Sequence, residues 1–257
     1  MRIQPVKDYH KLRNKSFSHG YSMAPTLQQD YSGAFDLVIF DCDGVLIDSE
    51  VIGCGAVAEL LSRYGVPTEL EYALRTFLGR PASAVTDEFS RRSGKALPPD
   101  FVTNWRKCLF DRFDQELVAI EGMSEAVRSI PLPRCIASSS DVERLDISLK
   151  KTGLLSLFEG NIFSATMVKR GKPAPDLFLF AAEKMGAAPS RCIVVEDSPS
   201  GVQAAKAAGM AAIGFTGGSH YAVLDNGTAL RDAGADHILS DAALLPSLLK
   251  DISSDAR

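Results

Sequence analysis

Two aspartates with a single residue between them, Asp41 and Asp43, follow directly on a short apolar run. Alternate residues of a strand point to the same face, so both side chains leave the strand on one side. Carboxylates this close repel each other unless a cation lies between them or one is protonated. The pair is therefore suited to holding a metal ion or to acid–base chemistry, whereas an Asp-Gly sequence by itself is also common in solvated turns.

A second acidic pair, Glu196 and Asp197, follows the apolar run at 192–195. Ser198 and Pro199 come next, and both are typical of the first residues of a helix. The segment therefore predicts a buried strand that delivers two carboxylates to a loop before a helix. An Asp-Ser helix cap is the ordinary alternative.

Hydroxyl groups and a lysine also lie at the end of a predicted strand or just before a predicted helix, as the acidic pairs do. Three consecutive serines at 138–140 end a third apolar run, where hydroxyl and backbone N–H groups can bind an anion. Ser140 and Asp141 are also suited to a purely structural role as helix caps. Lys172 lies in the Pro-rich loop 171–176 just before a predicted helix. A lysine is usually only a surface charge.

Each segment has an ordinary structural explanation, but their combination favours one chemistry. Oxygen ligands from Asp41, Asp43 and Asp197 suit Mg²⁺, which keeps several waters and usually contacts a substrate phosphate. Hydroxyl and ammonium groups suit the non-bridging oxygens of a phosphoryl group. The four segments together predict metal-assisted phosphoryl transfer.

The elements that must position these groups are short parallel strands alternating with helices, because ligands of such sheets bind at the carboxyl ends of the strands. Five apolar runs are predicted as strands: 36–40, 134–137, 192–195, 211–215 and 237–239. Amphipathic segments between most of them are predicted as helices: 141–151, 175–185, 199–208 and 222–232. The predicted fold class is α/β, with a Rossmann-like parallel sheet as its core.

Residues 50–118 break this alternation, because they contain helix-like segments and no convincing strand. The helix-like segments are 51–64, 81–92 and 99–113. The sequence therefore predicts an inserted helical domain at 50–118 and a core formed by 35–49 and 119–257.

The composition, with 46% hydrophobic and 23% charged residues in 257, is that of a soluble globular protein. No apolar stretch is long enough to span a membrane, and a net charge of −4 gives no general attraction to nucleic acid. The five cysteines form no C-x-x-C pair, which indicates a reducing cytoplasm without a zinc site or disulfides. We therefore predict a cytoplasmic protein without nucleic-acid or membrane partners, as a monomer or small homo-oligomer.

The N-terminal 22 residues carry five basic side chains against one acidic one. We interpret residues 1–34 as a flexible basic extension, or as sequence upstream of a true start at Met23. A basic targeting peptide is the alternative, but the segment lacks the apolar region of a secretory signal.

The four segments resemble the ordered motifs of the haloacid dehalogenase superfamily of hydrolases. The resemblance covers nearly everything from about residue 35 onward, and the inserted helical block is similar to the C1 cap of that superfamily. Its residues are Asp41-x-Asp43-Gly44, Ser138, Lys172-Pro-x-Pro-Asp176 and Glu196-Asp197-Ser198-x-x-Gly201. The nearest subgroup is that of the β-phosphoglucomutase-like enzymes, which includes 6-phosphogluconate phosphatases.

The resemblance implies a role for each of these residues. Asp41 would be the nucleophile that forms an aspartyl phosphate, and Asp43 the general acid and then the general base. The phosphate-binding residues would be Ser138, Ser139 and Lys172. The Mg²⁺ ligands would be Asp41, Asp43 through its main-chain carbonyl, and Asp197, with Glu196 as a further ligand or an outer carboxylate.

Substrate specificity would lie in the cap. Gly79 and Arg80 belong to a segment similar to the specificity loop of the family, and Lys107 on a cap helix is a further candidate. A mutase carries a histidine where Gly53 or Cys54 stands in this chain, which favours a phosphatase. His220 is interpreted as a surface loop histidine without a catalytic role.

The expected function is Mg²⁺-dependent hydrolysis of a small phosphorylated metabolite, namely a sugar, sugar acid or polyol phosphate. A β-phosphoglucomutase-type phosphomutase and a non-catalytic binding protein on the same fold are the alternatives.

Overall fold

The apolar runs form one parallel sheet of six strands in the computed structural model, which describes residues 34–80, 83–158, 160–224 and 227–255. The strands are β1 (Leu37–Phe40), β2 (Arg134–Ser138), β3 (Ile162–Ser164), β4 (Cys192–Glu196), β5 (Ala211–Phe215) and β6 (His237–Leu239). All neighbouring strands are parallel, in the order β3-β2-β1-β4-β5-β6. The expected α/β class with a parallel core is confirmed. The proposed basic extension lies outside the described residues except for Ala34.

The order of the strands reverses between β1 and β4. From β1 the chain builds outwards through β2 to β3, and it then returns to β4 and continues through β5 to β6 on the other side. Phe40 pairs with Val195, so the residues that follow the two strands leave the sheet at the same level. Such a switch point is where open α/β sheets bind their ligands.

Ten helices accompany the sheet. They are α1 (Glu50–Arg63), α2 (Leu70–Phe77), α3 (Ser83–Ser93), α4 (Phe101–Glu116), α5 (Met123–Ser129), α6 (Val142–Lys151), α7 (Asp176–Met185), α8 (Pro199–Ala207), α9 (Thr228–Asp232) and α10 (Leu245–Asp255) among the described residues. Val38 and Phe40 of β1 pack into a core with α5, α6 and α10, whereas Leu37 and Ile39 pack into a second core with α7 and α8. Both faces of the sheet are covered, which explains why its strands are continuous apolar runs.

The first four helices all lie between β1 and β2, within the segment predicted as an insertion. Helix α1 packs against α2 and α4, whereas α5 packs against α10 beside the sheet. The chain enters and leaves this segment at adjacent points, because the Asp48 amide donates to the Val118 carbonyl and the Ile120 amide to the Leu46 carbonyl, both at 3.0 Å.

The structure differs from the prediction in several elements. Strand β3 and helices α2 and α10 were not predicted. The segment 222–232, predicted as one helix, holds the end of a 3₁₀ turn (Ser219–Ala222) and then the short α9. Gly227 precedes α9 with φ of 86°, a left-handed conformation that starts a new helix rather than continuing one. The described helices include none that could cross a lipid bilayer.

Candidate active site

Three buried carboxylates meet at the carboxyl ends of β1 and β4. Asp41, Glu196 and Asp197 each place an oxygen within 4.8 Å of the others, an arrangement that could hold a metal ion. Asp41 follows β1, and the other two come from the end of β4 and the loop behind it. We call these residues the acidic cluster. Their mutual repulsion requires positive charge nearby.

Lys172 supplies part of that charge. Its Nζ donates to Asp41 Oδ1 and to Glu196 Oε1, both at 2.6 Å, and lies 4.9 Å from the centre of the Phe178 ring. Only 3% of its side chain is exposed, so it is not the ordinary surface lysine. Burial lowers the pKa of Lys172, but the two carboxylates outweigh burial and raise this pKa above its usual range. The lysine is therefore a fixed cation.

One lysine does not balance three carboxylates. Burial raises the pKa of Asp41 well above its usual value, and Lys172 only partly opposes this while Glu196 and Asp197 add to it. The pKa of Asp197 is raised in the same way, by burial first and then by Glu196. The residues present therefore fit a divalent cation, whose charge would allow all three carboxylates to ionise.

The Asp197 carboxylate lies so close to the main chain at residue 44 that only a glycine fits there. Gly44 has φ of 73°, and a Cβ on it would lie 1.9 Å from Asp197 Oδ2. Any other residue would therefore displace the Asp197 carboxylate and strain the turn. The Asp-x-Asp-Gly sequence thus has a steric reason for its fourth residue.

Asp43 points to different partners from Asp41. Its carboxylate accepts hydrogen bonds from Ser49 Oγ, Ser140 Oγ and Arg144 Nη2, each at 2.6 Å. Burial raises the pKa of Asp43, but Arg144 and the two serines outweigh burial and lower it. Asp43 is therefore an ionised carboxylate in this arrangement, and its side chain is not part of the acidic cluster.

Sequence reasoning missed Arg144 and Ser49, and it considered Ser140 as an anion-binding hydroxyl or a helix cap but not as a partner of Asp43. The cap of α6 is Asp141, whose Oδ1 accepts from the Arg144 amide at 2.9 Å. This cap begins α6 beside the end of β2 and sets Arg144 in the first turn, where its side chain reaches Asp43. The usable signal was the cap pattern, which implies that residues of the first turn adjoin the strand end.

The predicted phosphate-binding serines lie at the end of β2 and just beyond it. Ser138 is buried and its Oγ accepts from the Ser140 amide at 3.1 Å, while Ser139 is exposed. Both line the same cavity as Asp41 and Lys172. The structure thus brings all the predicted catalytic and phosphate-binding residues to one place.

This cavity has a volume of about 870 Å³, and the helices between β1 and β2 cover part of it. Their contribution includes Gly79 and Arg80, the predicted specificity residues, and a set of mainly apolar side chains: Val57, Phe77, Leu78, Val85, Leu97, Phe101, Trp105 and Leu109. Arg80 is exposed, and no described residue pairs with its guanidinium.

Lys107 does not lie in this cavity. It lines a separate cleft of about 610 Å³ together with Glu59 and Asp111. On helix α4 the neighbouring residues Trp105 and Arg106 line the cavity instead. The helical repeat turns Lys107 away from them, so the assignment of Lys107 to substrate specificity is corrected.

Glu50, at the first residue of α1, also lines the cavity. Burial, followed by the charges of Asp197 and Asp43, raises the pKa of Glu50 from 4.5 to about 8. Its negative charge is thus disfavoured in the folded, metal-free protein.

Replacing Glu50 by glutamine gives a testable pH dependence. A raised pKa in the folded state stabilises the protein below the unfolded value of 4.5, and this contribution is lost as the pH rises through about 8. We expect Glu50→Gln to melt at a higher temperature than the wild type at about pH 8.5 and to nearly match it at about pH 5, both in metal-free buffer. A difference in melting temperature that is independent of pH would contradict this assignment.

His220 is buried rather than on the surface, so its interpretation as a surface loop residue was wrong. Its side chain is fully enclosed, and Nε2 lies 3.2 Å from Asp197 Oδ2. Burial lowers the pKa of His220. The loop that follows β5 therefore brings His220 into the interior beside the acidic cluster and does not expose it at the surface.

Known proteins resemble this chain over most of its length. Residues 38–215 match the family described as haloacid dehalogenase-like hydrolase. The 6-phosphogluconate phosphatase of Escherichia coli (strain K12) is 32% identical over 186 residues, which cover 72% of this chain and 84% of that protein. The phosphorylated carbohydrates phosphatase of Thermotoga maritima is 30% identical over 230 residues, which cover 84% of this chain and 99% of that protein.

A solved structure shows the same architecture. The conserved haloacid dehalogenase-like protein of unknown function from Agrobacterium tumefaciens str. C58 has a TM-score of 0.77 and 38% sequence identity, with 85% of this chain and 99% of that chain covered. The range 38–215 of the family match contains Asp41, Lys172 and Asp197.

Proposed function

The chain belongs to the haloacid dehalogenase-like hydrolase family, and from that premise we propose that it hydrolyses a small phosphorylated metabolite through a phosphorylated Asp41, with Mg²⁺ as its cofactor. The enzyme is a hydrolase of phosphate monoesters, and the proposed substrates are sugar, sugar acid or polyol phosphates. The observation that carries the proposal is the buried acidic cluster with Lys172 bonded to Asp41 and Glu196. The names of the E. coli and T. maritima relatives support the substrate class.

Asp41, Asp197 and the main-chain carbonyl of Asp43 are the proposed ligands of the cation. Glu196 is assigned to an outer position, because its Oε1 accepts from Lys172 and its Oε2 accepts from the amide and hydroxyl of Ser198. A divalent cation held by these residues would stabilise the negative charge of the phosphoryl group during transfer.

In the first half-reaction Asp41 attacks phosphorus. Lys172 holds Oδ1 of Asp41, and none of the described residues donates a hydrogen bond to Oδ2, which is the proposed nucleophile. A bond forms between Oδ2 and phosphorus while the ester P–O bond breaks. The leaving alkoxide takes a proton from Asp43, and Ser138, Ser139 and Lys172 bind the non-bridging oxygens.

In the second half-reaction a water molecule attacks phosphorus and gives its proton to Asp43. The Asp41–phosphorus bond breaks, inorganic phosphate leaves, and Asp43 is protonated again for the next turnover. The pairing of Asp43 with Arg144 supports the base form of this carboxylate. To act as the acid, Asp43 must exchange Arg144 for the leaving oxygen and carry a proton.

Residues 50–118 are proposed to form the cap that covers the substrate. Two ion pairs join it to α6, since Arg106 contacts Asp141 at 2.8 Å and Glu143 at 2.7 Å. A cap in this position excludes water from the phosphorylated intermediate and supplies specificity. Arg80, whose guanidinium pairs with none of the described residues, is the proposed group that recognises a polar or anionic part of the substrate.

The proposal is tested by measuring phosphate release from phosphorylated sugars, sugar acids, polyols and nucleotides, with Mg²⁺ and after its removal. We expect Mg²⁺-dependent release that is strongest for one of the first three classes, because the carboxylates at the reacting centre need a cation. The Asp41→Asn variant is the matched control for contaminating activity.

A folded, Mg²⁺-loaded protein that releases phosphate from none of these compounds would contradict the proposal. Hexose phosphate isomerisation with a bisphosphate activator would then be assayed, since it would identify a phosphomutase. Gly53 and Cys54 line the cavity where a mutase carries a histidine, which supports the phosphatase.

A further inference from the structure

The turn that follows β5 is attached to the active site at three points. The amide and hydroxyl of Ser219 both donate to Asp48 Oδ1, at 3.1 and 2.7 Å, which ties the turn to the loop that carries Asp41. The Tyr221 hydroxyl donates to the main-chain carbonyl of Asp197 at 2.6 Å. His220 lies between these two attachments, so its ring is held beside Asp197.

Asp197 differs from the other members of the acidic cluster in its partners. Asp41 and Glu196 both accept hydrogen bonds from Lys172, and Glu196 also accepts from Ser198. The Asp197 carboxylate receives no hydrogen bond from any other side chain in the described ranges. One potential donor, His220 Nε2, lies 3.2 Å from Asp197 Oδ2, which is close but not aligned for a hydrogen bond.

The His220 ring has no hydrogen-bond partner among the described residues, and it packs closely against two glycines. It is fully buried, and neither Nδ1 nor Nε2 forms a hydrogen bond with the described part of the chain. A Cβ on Gly218 would lie 2.6 Å from the ring, and one on Gly44 would lie 3.0 Å from it. A buried imidazole without partners is costly unless it serves a neighbouring group.

We propose that His220 is a positioning residue for the metal site: when the cation is bound, its ring N–H donates to the Asp197 carboxylate and holds it in the orientation that binds the cation. Side chains that orient a metal-binding carboxylate from behind typically change metal affinity by about 10–100-fold when they are removed. The inference rests on the proposed function, because it assumes that the acidic cluster binds a divalent cation. It goes beyond that function by assigning a role to a segment outside the four motifs.

The test compares Mg²⁺ binding, without substrate, by isothermal titration calorimetry in wild type and three variants. His220→Phe fills the space without a donor, and we expect its Mg²⁺ affinity to fall about 10–100-fold. His220→Gln restores an N–H donor, and its affinity should lie within about threefold of wild type. His237→Gln is the control, because His237 is exposed at the start of β6, and its affinity should be unchanged.

Equal Mg²⁺ affinities in wild type, His220→Phe and His220→Gln would overturn the proposal, even if the melting temperatures of the variants fall. A second measurement does not depend on folded variants. The imidazole ¹⁵N resonances of His220 should shift when Mg²⁺ is added to the wild-type protein, whereas those of His237 should not. Unmoved His220 resonances at saturating Mg²⁺ would overturn the role of His220 alone, and a wild type that binds no Mg²⁺ would overturn the metal site as well.

Discussion

The Asp41→Asn variant should lose turnover by roughly 10⁴-fold or more while its fold remains intact, because an amide cannot attack phosphorus. The side chain keeps its shape, so the ends of β1 and β4 need not move. The loss is measured as phosphate release from the best substrate of the panel, at an enzyme concentration high enough for slow release to exceed the release without enzyme. Activity within about tenfold of wild type would exclude Asp41 as the nucleophile.

The same variant should be more stable than wild type in metal-free buffer. Asp41 is one of three crowded carboxylates, and its pKa is raised in the folded state above the usual value of 3.8. Such a group loses its stabilising contribution as the pH rises through the folded pKa, so at neutral pH its charge destabilises the fold. The gain in melting temperature should shrink in acid and on adding Mg²⁺. Loss of stability at neutral pH would show that the bond to Lys172 outweighs the repulsion.

The Lys172→Met variant should lose both stability and activity. Methionine has a similar length but leaves Asp41 and Glu196 buried without their cation, and breaking a buried ion pair in this way typically costs about 3–5 kcal/mol. Unfolding by urea, followed by circular dichroism in metal-free buffer, measures the free energy of unfolding. Turnover should fall at least about 100-fold, since a charge that binds the phosphoryl group is removed.

The pH dependence distinguishes this explanation from a packing defect. Without Lys172, nothing opposes the effect of burial on Asp41 and its pKa should rise further in the folded state. The loss of stability should therefore be largest at high pH and should recover as the pH falls. Lys206→Met is the matched control, because Lys206 forms an exposed ion pair with Asp236 and such pairs are worth about 0–1 kcal/mol. An equal loss in both variants, or a loss independent of pH, would contradict the role of Lys172.

The sequence predicted the positions of the reacting groups better than their partners. Asp41, Lys172 and Asp197 could be found because each follows a recognisable strand or precedes a helix, and parallel strands bring such ends together. The cap pattern could have placed Arg144 near the end of β2, but its bond to Asp43 could not be found, because it depends on the rotamer of a long side chain. The burial of His220 depends on the path of a loop that no periodicity describes.

The elements that were not predicted have different causes. Strand β3 has three residues at the edge of the sheet, too few for a periodic pattern. Helix α2 did carry a signal, since Leu70, Ala73, Leu74 and Phe77 repeat at the spacing of a helix face, and the last three are buried. The segment was interpreted only as the loop that contains Gly79, so the helix before this loop was not predicted.

The paired crossing between the sheet and its helical insertion has an evolutionary consequence. The outgoing segment 46–48 and the returning segment 118–120 are hydrogen-bonded to each other, so the residues between them are attached to the core through a single narrow connection. Insertions with adjacent ends are tolerated because they do not change the path of the surrounding chain. The proposed cap can therefore be lengthened, shortened or exchanged by recombination while the carboxylates and lysine keep their positions. Proteins with this connection can change their substrate specificity while their catalytic residues stay the same.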